Sequence, residues 1–192
     1  MIIYLHGFRS SPQSFKARLI GERMASLGRA AEYVCPQLSP RPSDAVDCVM
    51  DIARAHHQST LTLIGSSLGG FYATWLAERL SCRAVLLNPA MGADQKLRSH
   101  LGPQTAYHGD GGSFELTAAD LDQLRDLKVA AITQPERYLL LAAKGDELLD
   151  WREMVASFPG ARHKIIDGSD HALSDFADYV DEVLDFAGVM GI

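Results

Sequence analysis

The strongest constraint on the fold is the alternation of short apolar segments with longer segments of helical periodicity. Short apolar segments rich in branched residues predict strands buried on both faces, and intervening helices let successive strands run parallel. The predicted strands are Met1–Leu5, Glu32–Val34, Leu61–Ile64, Ala84–Leu87, Tyr138–Ala142 and His163–Ile166. The predicted helices are Phe15–Leu27, Ser43–His56, Leu68–Arg79, Trp151–Phe158 and Leu173–Phe186. The pattern therefore predicts a mostly parallel sheet of about six strands, with helices on both faces.

Composition narrows the classes of protein that this chain can be. A chain of 192 residues with 47% hydrophobic and 22% charged residues is typical of one globular domain, without the bias of a disordered or membrane protein. A net charge of −6 and scattered basic residues disfavour a nucleic-acid partner. The three cysteines form no C-x-x-C pair, and the N-terminus lacks the pattern of a signal peptide. We therefore expect a cytoplasmic protein with no membrane span; its oligomeric state is not indicated.

A glycine-rich turn follows the predicted strand Leu61–Ile64 and precedes a helix. Its residues, Gly65-Ser66-Ser67-Leu68-Gly69, have the G-x-S-x-G spacing of a nucleophilic serine on a tight strand-to-helix turn. Glycine suits both ends of this motif because the chain packs against itself there. Ser67 is therefore the candidate nucleophile. Ser66 offers the same hydroxyl but would need Ile64 and Leu68 at the crowded positions, so we expect Ser66 to cap the helix.

A serine hydroxyl needs a base, and His171 has the best placement among the seven histidines. It follows the last predicted strand in a polar loop, just before the final helix. It also lies after the serine and a candidate acid, in the chain order Ser, acid, His that a G-x-S-x-G enzyme requires. A solvated loop histidine is the alternative. The other candidates lie at a helix end, in an insertion or inside a strand: His56, His57, His100, His108 and His163.

The acid that orients the histidine is predicted at the carboxyl end of the strand Tyr138–Ala142. Asp146 follows this strand directly, at the sheet edge where the serine turn should also lie. Its carboxylate would accept the Nδ1–H of His171 and stabilise the imidazolium. Glu147 is the main alternative, because turn boundaries are uncertain by a few residues. Asp150 and Asp170 are weaker alternatives.

An oxyanion hole requires two backbone amides that point at the developing alkoxide. One is expected from Leu68, the residue after the serine. The other is expected from Phe8 in the loop after the first strand, where His6-Gly7 supplies a permissive turn. A plain strand end is the alternative interpretation of His6-Gly7.

The segment between Pro89 and Arg137 interrupts the alternation, because it contains no strand candidate of useful length. Its candidate features are a helix at Gln95–Leu101, a glycine-rich loop at Gly109–Gly112, and a helix at Ala118–Leu127 that Thr117 could cap. Long excursions in compact domains are usually functional. We interpret residues 91–137 as a small helical cap on a single domain that spans residues 1–192. An insertion that merely covers the sheet edge is the alternative.

Four segments together resemble the α/β-hydrolase superfamily, and within it the YqiA-like bacterial esterases. They are the opening Ile3–Pro12, the serine turn Gly65–Ala73, the run Leu87–Ala90 and the loop Gly168–His171. The resemblance covers nearly the whole chain and implies a three-layer α/β-hydrolase fold. Because the chain begins at the strand that carries His-Gly, the two strands that usually precede it should be absent.

The resemblance also implies a function. It implies Ser67, Asp146 and His171 as a catalytic triad and small-molecule carboxylic esters or acyl thioesters as substrates, with no metal or organic cofactor. A peptidase or a haloperoxidase-like enzyme could use the same catalytic residues. A catalytically inactive binding protein could keep the same fold. Asn88 could shape the site or simply cap the end of its strand. The natural substrate and its chain length are not indicated.

Overall fold

The computed structural model of the chain describes residues 1–56, 60–107 and 112–190. The strands are β1 (Ile2–Leu5), β2 (Tyr33–Val34), β3 (Thr62–Ser66), β4 (Arg83–Leu87), β5 (Gly102–Thr105), β6 (Ser113–Leu116), β7 (Tyr138–Ala143) and β8 (Arg162–Ile166). The α-helices are α1 (Phe15–Ser26), α2 (Pro42–Arg54), α3 (Leu68–Leu80), α4 (Ala93–Lys96), α5 (Ala118–Asp126), α6 (Trp151–Ser157) and α7 (Val180–Phe186).

The central sheet has six strands in the order β2-β1-β3-β4-β7-β8. Every neighbouring pair is parallel, and the register places Leu5 beside Gly65 and Ser66 beside Leu87. The predicted parallel sheet is therefore confirmed. Because the strands are parallel, the loops after β1, β3, β4, β7 and β8 all leave the same edge of the sheet.

Alternate side chains of each strand pack into different layers, which follows from the two-residue period of a strand. In β1, Ile3 and Leu5 pack in the cluster that includes α2, α3, α5 and α6. Ile2 and Tyr4 pack in the cluster that includes α1 and α7. Helices therefore cover both faces of the sheet, which is the predicted three-layer arrangement.

The insertion between Pro89 and Arg137 differs from its prediction in two respects. Strands β5 and β6 form an antiparallel hairpin, with Gly102 paired to Leu116 and Thr105 to Ser113, so the expectation of no strand was wrong. The predicted first helix is split into α4 and a short 3₁₀ helix. Thr117 caps α5 as expected, in a capping box with Asp120. Residues 109–111 of the glycine-rich loop lie outside the described residues.

The predicted final helix Leu173–Phe186 is also interrupted. The structure has a 3₁₀ helix at Phe176–Asp178 and then α7, and Leu173 has a positive φ of 49°. The Asp170 carboxylate accepts hydrogen bonds from the amide and hydroxyl of Ser174 at 2.9 and 2.6 Å. Such local side-chain bonds compete with helix formation, which explains the later start of α7.

Across the described ranges, no helix combines the length and apolar character needed to cross a membrane. The cytoplasmic location stays a prediction.

Candidate active site

Ser67 occupies the turn between β3 and α3 in a conformation that few residues adopt, with φ 54° and ψ −119°. Its amide donates to the carbonyl of Leu87 at 3.0 Å, and its own carbonyl accepts from the amides of Gly70 and Ala90 at 2.9 and 3.0 Å. A strained backbone persists only where its surroundings over-determine it. These contacts hold the Ser67 side chain at the carboxyl edge of the sheet.

The glycines of this turn are required by close backbone packing. A Cβ on Gly65 would lie 2.2 Å from the carbonyl oxygen of Gly69, and a Cβ on Gly69 would lie 2.0 Å from that of Leu5. Both distances are far below van der Waals contact. The serine turn therefore packs directly on the end of β1, the strand that precedes the loop with His6 and Gly7.

The side chains of Ser67, His171 and Asp146 form one hydrogen-bonded row. The Ser67 hydroxyl lies 3.0 Å from Nε2 of His171, and Nδ1 of the same ring lies 2.8 Å from Oδ2 of Asp146. Because a carboxylate can only accept, Nδ1 carries the hydrogen and Nε2 is left to accept from the serine. The Asp146 side chain is 0% exposed and that of His171 is 18% exposed. This arrangement can take a proton from Ser67 and stabilise the resulting imidazolium.

Asp146 and Glu147 contact different parts of His171. The second oxygen of Asp146 accepts from the amides of Leu148 and Leu149 at 2.9 and 2.8 Å, which fixes the carboxylate. Glu147 instead accepts the backbone amide of His171 at 3.0 Å. Asp146 thus orients the ring and Glu147 holds the loop.

Several other candidate acids and bases make different contacts. Asp150 accepts the Arg152 amide at the start of α6, and Asp170 is bonded to Ser174. His163 interacts with the carbonyl of Phe158 at 2.8 Å. His57 and His108 lie outside the described residues. Ser66 belongs to β3 and is buried, and the residue before α3 is Ser67, so the expectation that Ser66 caps this helix was wrong.

Phe8 and Leu68, the candidate oxyanion residues, flank the boundary between two cavities. One cavity, of about 640 Å³, contains Ser67 and His171, and the other, of about 560 Å³, lies on the side of the hairpin β5–β6. Both Phe8 and Leu68 line both cavities. A Cβ on Gly7 would lie 3.3 Å from the Cβ of Ser67, so the loop that carries Phe8 passes directly beside the serine.

His6 anchors this loop to the segment between β2 and α2. Its Nε2 accepts the Leu38 amide at 3.0 Å, so the remaining hydrogen is on Nδ1, which donates to the Gly7 carbonyl at 3.0 Å. The aromatic ring of Phe8 meets those of His100 and Phe114 edge to face, at 5.8 Å in each case. The loop after β1 is therefore held by the hydrogen bond from Leu38 and by ring contacts with the insertion.

One family model matches nearly the whole chain. The model of the Uncharacterised protein family UPF0227 matches residues 1–188. The chain belongs to this family. The YqiA-like resemblance predicted from the sequence is thereby confirmed.

Solved structures share the fold of this UPF0227 member at low sequence identity. A protein from Agrobacterium vitis S4 has a TM-score of 0.74 at 18% identity, covering 97% of this chain and 87% of that one. Alpha/beta hydrolase domain-containing protein 10 from mouse has a TM-score of 0.72 at 17% identity, covering 96% and 89%. Est1E from Butyrivibrio proteoclasticus has a TM-score of 0.70 at 18% identity, covering 98% and 86%. The α/β-hydrolase fold is therefore established.

Sequence reasoning missed two residues at the site of this UPF0227 chain. A Cβ on Gly145 would lie 2.2 Å from the carbonyl of Ser169, so the Asp146 turn can approach the His171 loop only with glycine there. Its position directly before the candidate acid was the available signal. Lys16 lines the same cavity as Ser67, although it comes from α1, and nothing in its local sequence marked it.

Proposed function

We propose that this chain is a serine hydrolase that cleaves carboxylic esters or acyl thioesters through an acyl-enzyme on Ser67. The observation that carries the proposal is the hydrogen-bonded row from Ser67 through His171 to Asp146, with distances of 3.0 and 2.8 Å. A nucleophile, a base and an orienting acid within hydrogen-bond reach are the signature of nucleophilic catalysis. The fold shared with proteins named as hydrolases is consistent with this activity.

In the first step, Oγ of Ser67 attacks the substrate carbonyl carbon while its proton passes to Nε2 of His171. Asp146 stabilises the imidazolium, and the amides of Leu68 and Phe8 hold the oxyanion. Collapse of the tetrahedral intermediate expels the alcohol or thiol, which takes the proton from His171. A water molecule then attacks the acyl-enzyme, His171 accepts its proton, and release of the acid returns the proton to Ser67.

The segment 91–137 is proposed as a cap that shapes the substrate pocket of this single domain. Ala93, Leu97, His100 and Tyr107 come from this segment and line the cavity that contains Ser67. Their contacts with a substrate would decide its chain length, since pocket shape sets specificity by differential binding of the transition state.

Covalent labelling tests the proposal directly. The protein is treated with a fluorophosphonate probe, and the modified peptide is identified by mass spectrometry. We expect labelling of Ser67 in the wild type and in Ser66→Ala, and none in Ser67→Ala. Because loss of the nucleophile removes the covalent route, Ser67→Ala should also lose ester turnover by a factor of roughly a thousand or more. A folded Ser67→Ala protein with full activity would exclude the mechanism.

The same experiment separates the alternatives. A folded wild type that takes no label would favour the inactive binding protein, because an unactivated serine reacts poorly with the probe. Within enzymes, rates on matched ester, thioester and amide substrates distinguish an esterase or thioesterase from a peptidase. Halogenation activity with peroxide would indicate the haloperoxidase-like alternative.

A further inference from the structure

Lys16 is a cationic side chain of the Ser67 cavity that the acyl transfer proposed above does not use. It lies in the first turn of α1, and it lines the cavity that also contains Ser67 and His171. Its ammonium group donates a hydrogen bond to the carbonyl of Ala172, the residue that follows His171. The charge of Lys16 is therefore next to the proposed base.

Lys16 has no close counter-ion in the described parts of the chain, where no carboxylate oxygen lies within 4.0 Å of its ammonium nitrogen. Lys96, which lines the same cavity, differs because it pairs with Glu153 at 2.8 Å. Burial lowers the pKa of Lys16 to about 8, although the more distant charges of Asp170 and Asp146 oppose this shift. Lys16 is thus a half-buried cation, and a perturbed ionisable group in a cleft is a candidate for a functional site.

Three apolar residues line this cavity at exposed positions. They are Phe15, Tyr107 and Leu148, which are 54%, 65% and 66% exposed. Apolar walls exclude water and so strengthen the attraction between a cation and an anionic ligand. A cation that lacks a paired carboxylate in the described residues, next to these apolar side chains, suits a ligand with a hydrocarbon part and one negative charge.

We propose that Lys16 forms an anion subsite that selects esters carrying a carboxylate group near the scissile bond. This inference rests on the proposed hydrolase function and names its substrate class. An ammonium group has three donors, and Ala172 uses one of them, which leaves two for a substrate carboxylate. Charge-assisted hydrogen bonds of this kind are roughly twice as strong as neutral ones.

The test uses pairs of esters that differ only in the charged group. On the acyl side, 4-nitrophenyl hydrogen glutarate is compared with 4-nitrophenyl 5-methylhexanoate, in which an isopropyl group replaces the carboxylate. On the alcohol side, 2-carboxyethyl butyrate is compared with 3-methylbutyl butyrate, with acid release followed by pH-stat. Both pairs are measured at about pH 7, where most of the Lys16 ammonium is protonated because its pKa is about 8.

The informative variants are Lys16→Met, which keeps the apolar stem, and Lys16→Arg, which keeps the charge. We expect Lys16→Met to lower kcat/KM for the anionic ester of at least one pair by about ten-fold to a hundred-fold, mainly through KM. The neutral partner should change by less than about two-fold, and Lys16→Arg should retain part of the preference. Arg18→Met is the matched control, because Arg18 is an exposed cation on α1 that pairs with Glu22.

Two results would contradict the proposal that Lys16 forms an anion subsite. If Lys16→Met lowers kcat equally for both members of each pair, Lys16 acts only by holding the Ala172 carbonyl and the loop of His171. If neither member changes in either pair, Lys16 has no part in recognition. Failure of the proposed function looks different, since the wild type would then hydrolyse none of the four esters and Ser67 would take no fluorophosphonate label.

Discussion

The side-chain amide of Asn88 donates a hydrogen bond to the main-chain carbonyl of His171, with 3.2 Å between nitrogen and oxygen. The same amide donates to the carbonyl of Asp170 at 3.0 Å, and Oδ1 of Asn88 accepts from the amide of Ala143 at 2.9 Å. Asn88 is 1% exposed, so water cannot readily replace these bonds. The end of β4 therefore fixes the His171 loop relative to the strand that leads to Asp146.

We expect Asn88→Asp to lower kcat by about ten-fold to a hundred-fold while KM changes little. Aspartate tolerates the φ of 43° at this position, but a carboxylate cannot donate to the two carbonyls. The His171 loop would then lose its anchor, and small misplacements of a catalytic group are costly. Steady-state kinetics with one neutral ester checks this, with thermal melting to verify the fold. An unchanged kcat in a folded variant would show that Asn88 only caps the end of β4.

Asp146→Asn and Glu147→Gln separate the orienting acid from its neighbour. Asp146 accepts from the imidazole ring, so its amide variant should favour the wrong tautomer and lower kcat by roughly a thousand-fold or more, as in serine proteases. Glu147 accepts only the backbone amide of His171, so Glu147→Gln, which retains an acceptor oxygen, should lower kcat by less than about ten-fold. The comparison is made by kcat at one pH. The reverse ranking would identify Glu147 as the triad acid.

The sequence predicts the strands of the central sheet and places the site at their carboxyl edge. Both predictions rest on local sequence patterns. Buried runs such as Tyr138–Ala143 are apolar in every position, and the turn at Ser67 carries its glycines in sequence. The hairpin β5–β6 has no such signal. Its strands, Gly102–Thr105 and Ser113–Leu116, are half exposed, and the first contains glycine and proline. Only the pairing of the two segments shows that they are strands.

The sequence alone could not decide between the two possible roles of Asn88, shaping the site or capping its strand, for a related reason. Its partners, Ala143, Asp170 and His171, are 55, 82 and 83 residues away in the chain. Lys16 lies 156 residues from its partner Ala172. Local patterns give element positions, whereas these hydrogen bonds depend on the order of strands in the sheet.

Gly69→Ala should prevent folding or destabilise the protein by more than about 3 kcal/mol. A Cβ at this position would lie 2.0 Å from the Leu5 carbonyl oxygen, and neither backbone can move without disturbing the sheet. Gly112→Ala is the control, since a Cβ there meets nothing within 4 Å. Urea unfolding measures both variants. Equal stability of the two proteins would contradict the close packing of the serine turn on β1.

Asp120→Asn should loosen the attachment of the insertion to α2. The buried Asp120 carboxylate accepts from the Thr117 amide and hydroxyl at 2.8 and 2.6 Å and from the Arg41 guanidinium at 2.6 Å. The variant should lose about 1–2 kcal/mol of unfolding free energy at pH 7, a modest value because Arg41 is partly exposed. Asp122→Asn, which removes an exposed carboxylate from the same helix, should change stability by less than about 0.5 kcal/mol.

The stabilisation by Asp120 should also depend on pH. Burial opposes ionisation, but the bonds from Thr117 and Arg41 hold the pKa of Asp120 below its usual value. A carboxyl group with a lowered pKa in the folded state stabilises fully above its unfolded pKa of about 4 and less as pH falls. The difference in unfolding free energy between wild type and Asp120→Asn should therefore narrow below about pH 4. A difference that stays constant to pH 3 would show that the charge is not involved.

The preference for anionic esters should decline as pH rises through about 8. Lys16 attracts a carboxylate only when protonated, and burial lowers its pKa to about 8 against the opposing charges of Asp170 and Asp146. The measurement is the ratio of kcat/KM for an anionic ester to kcat/KM for its neutral isostere, because pH effects common to both substrates cancel in this ratio. This ratio should fall from pH 7 to pH 9.5 in the wild type. In Lys16→Arg it should stay constant, because arginine remains protonated over this range. A wild-type ratio that does not vary over this range would show that the Lys16 ammonium does not select the substrate.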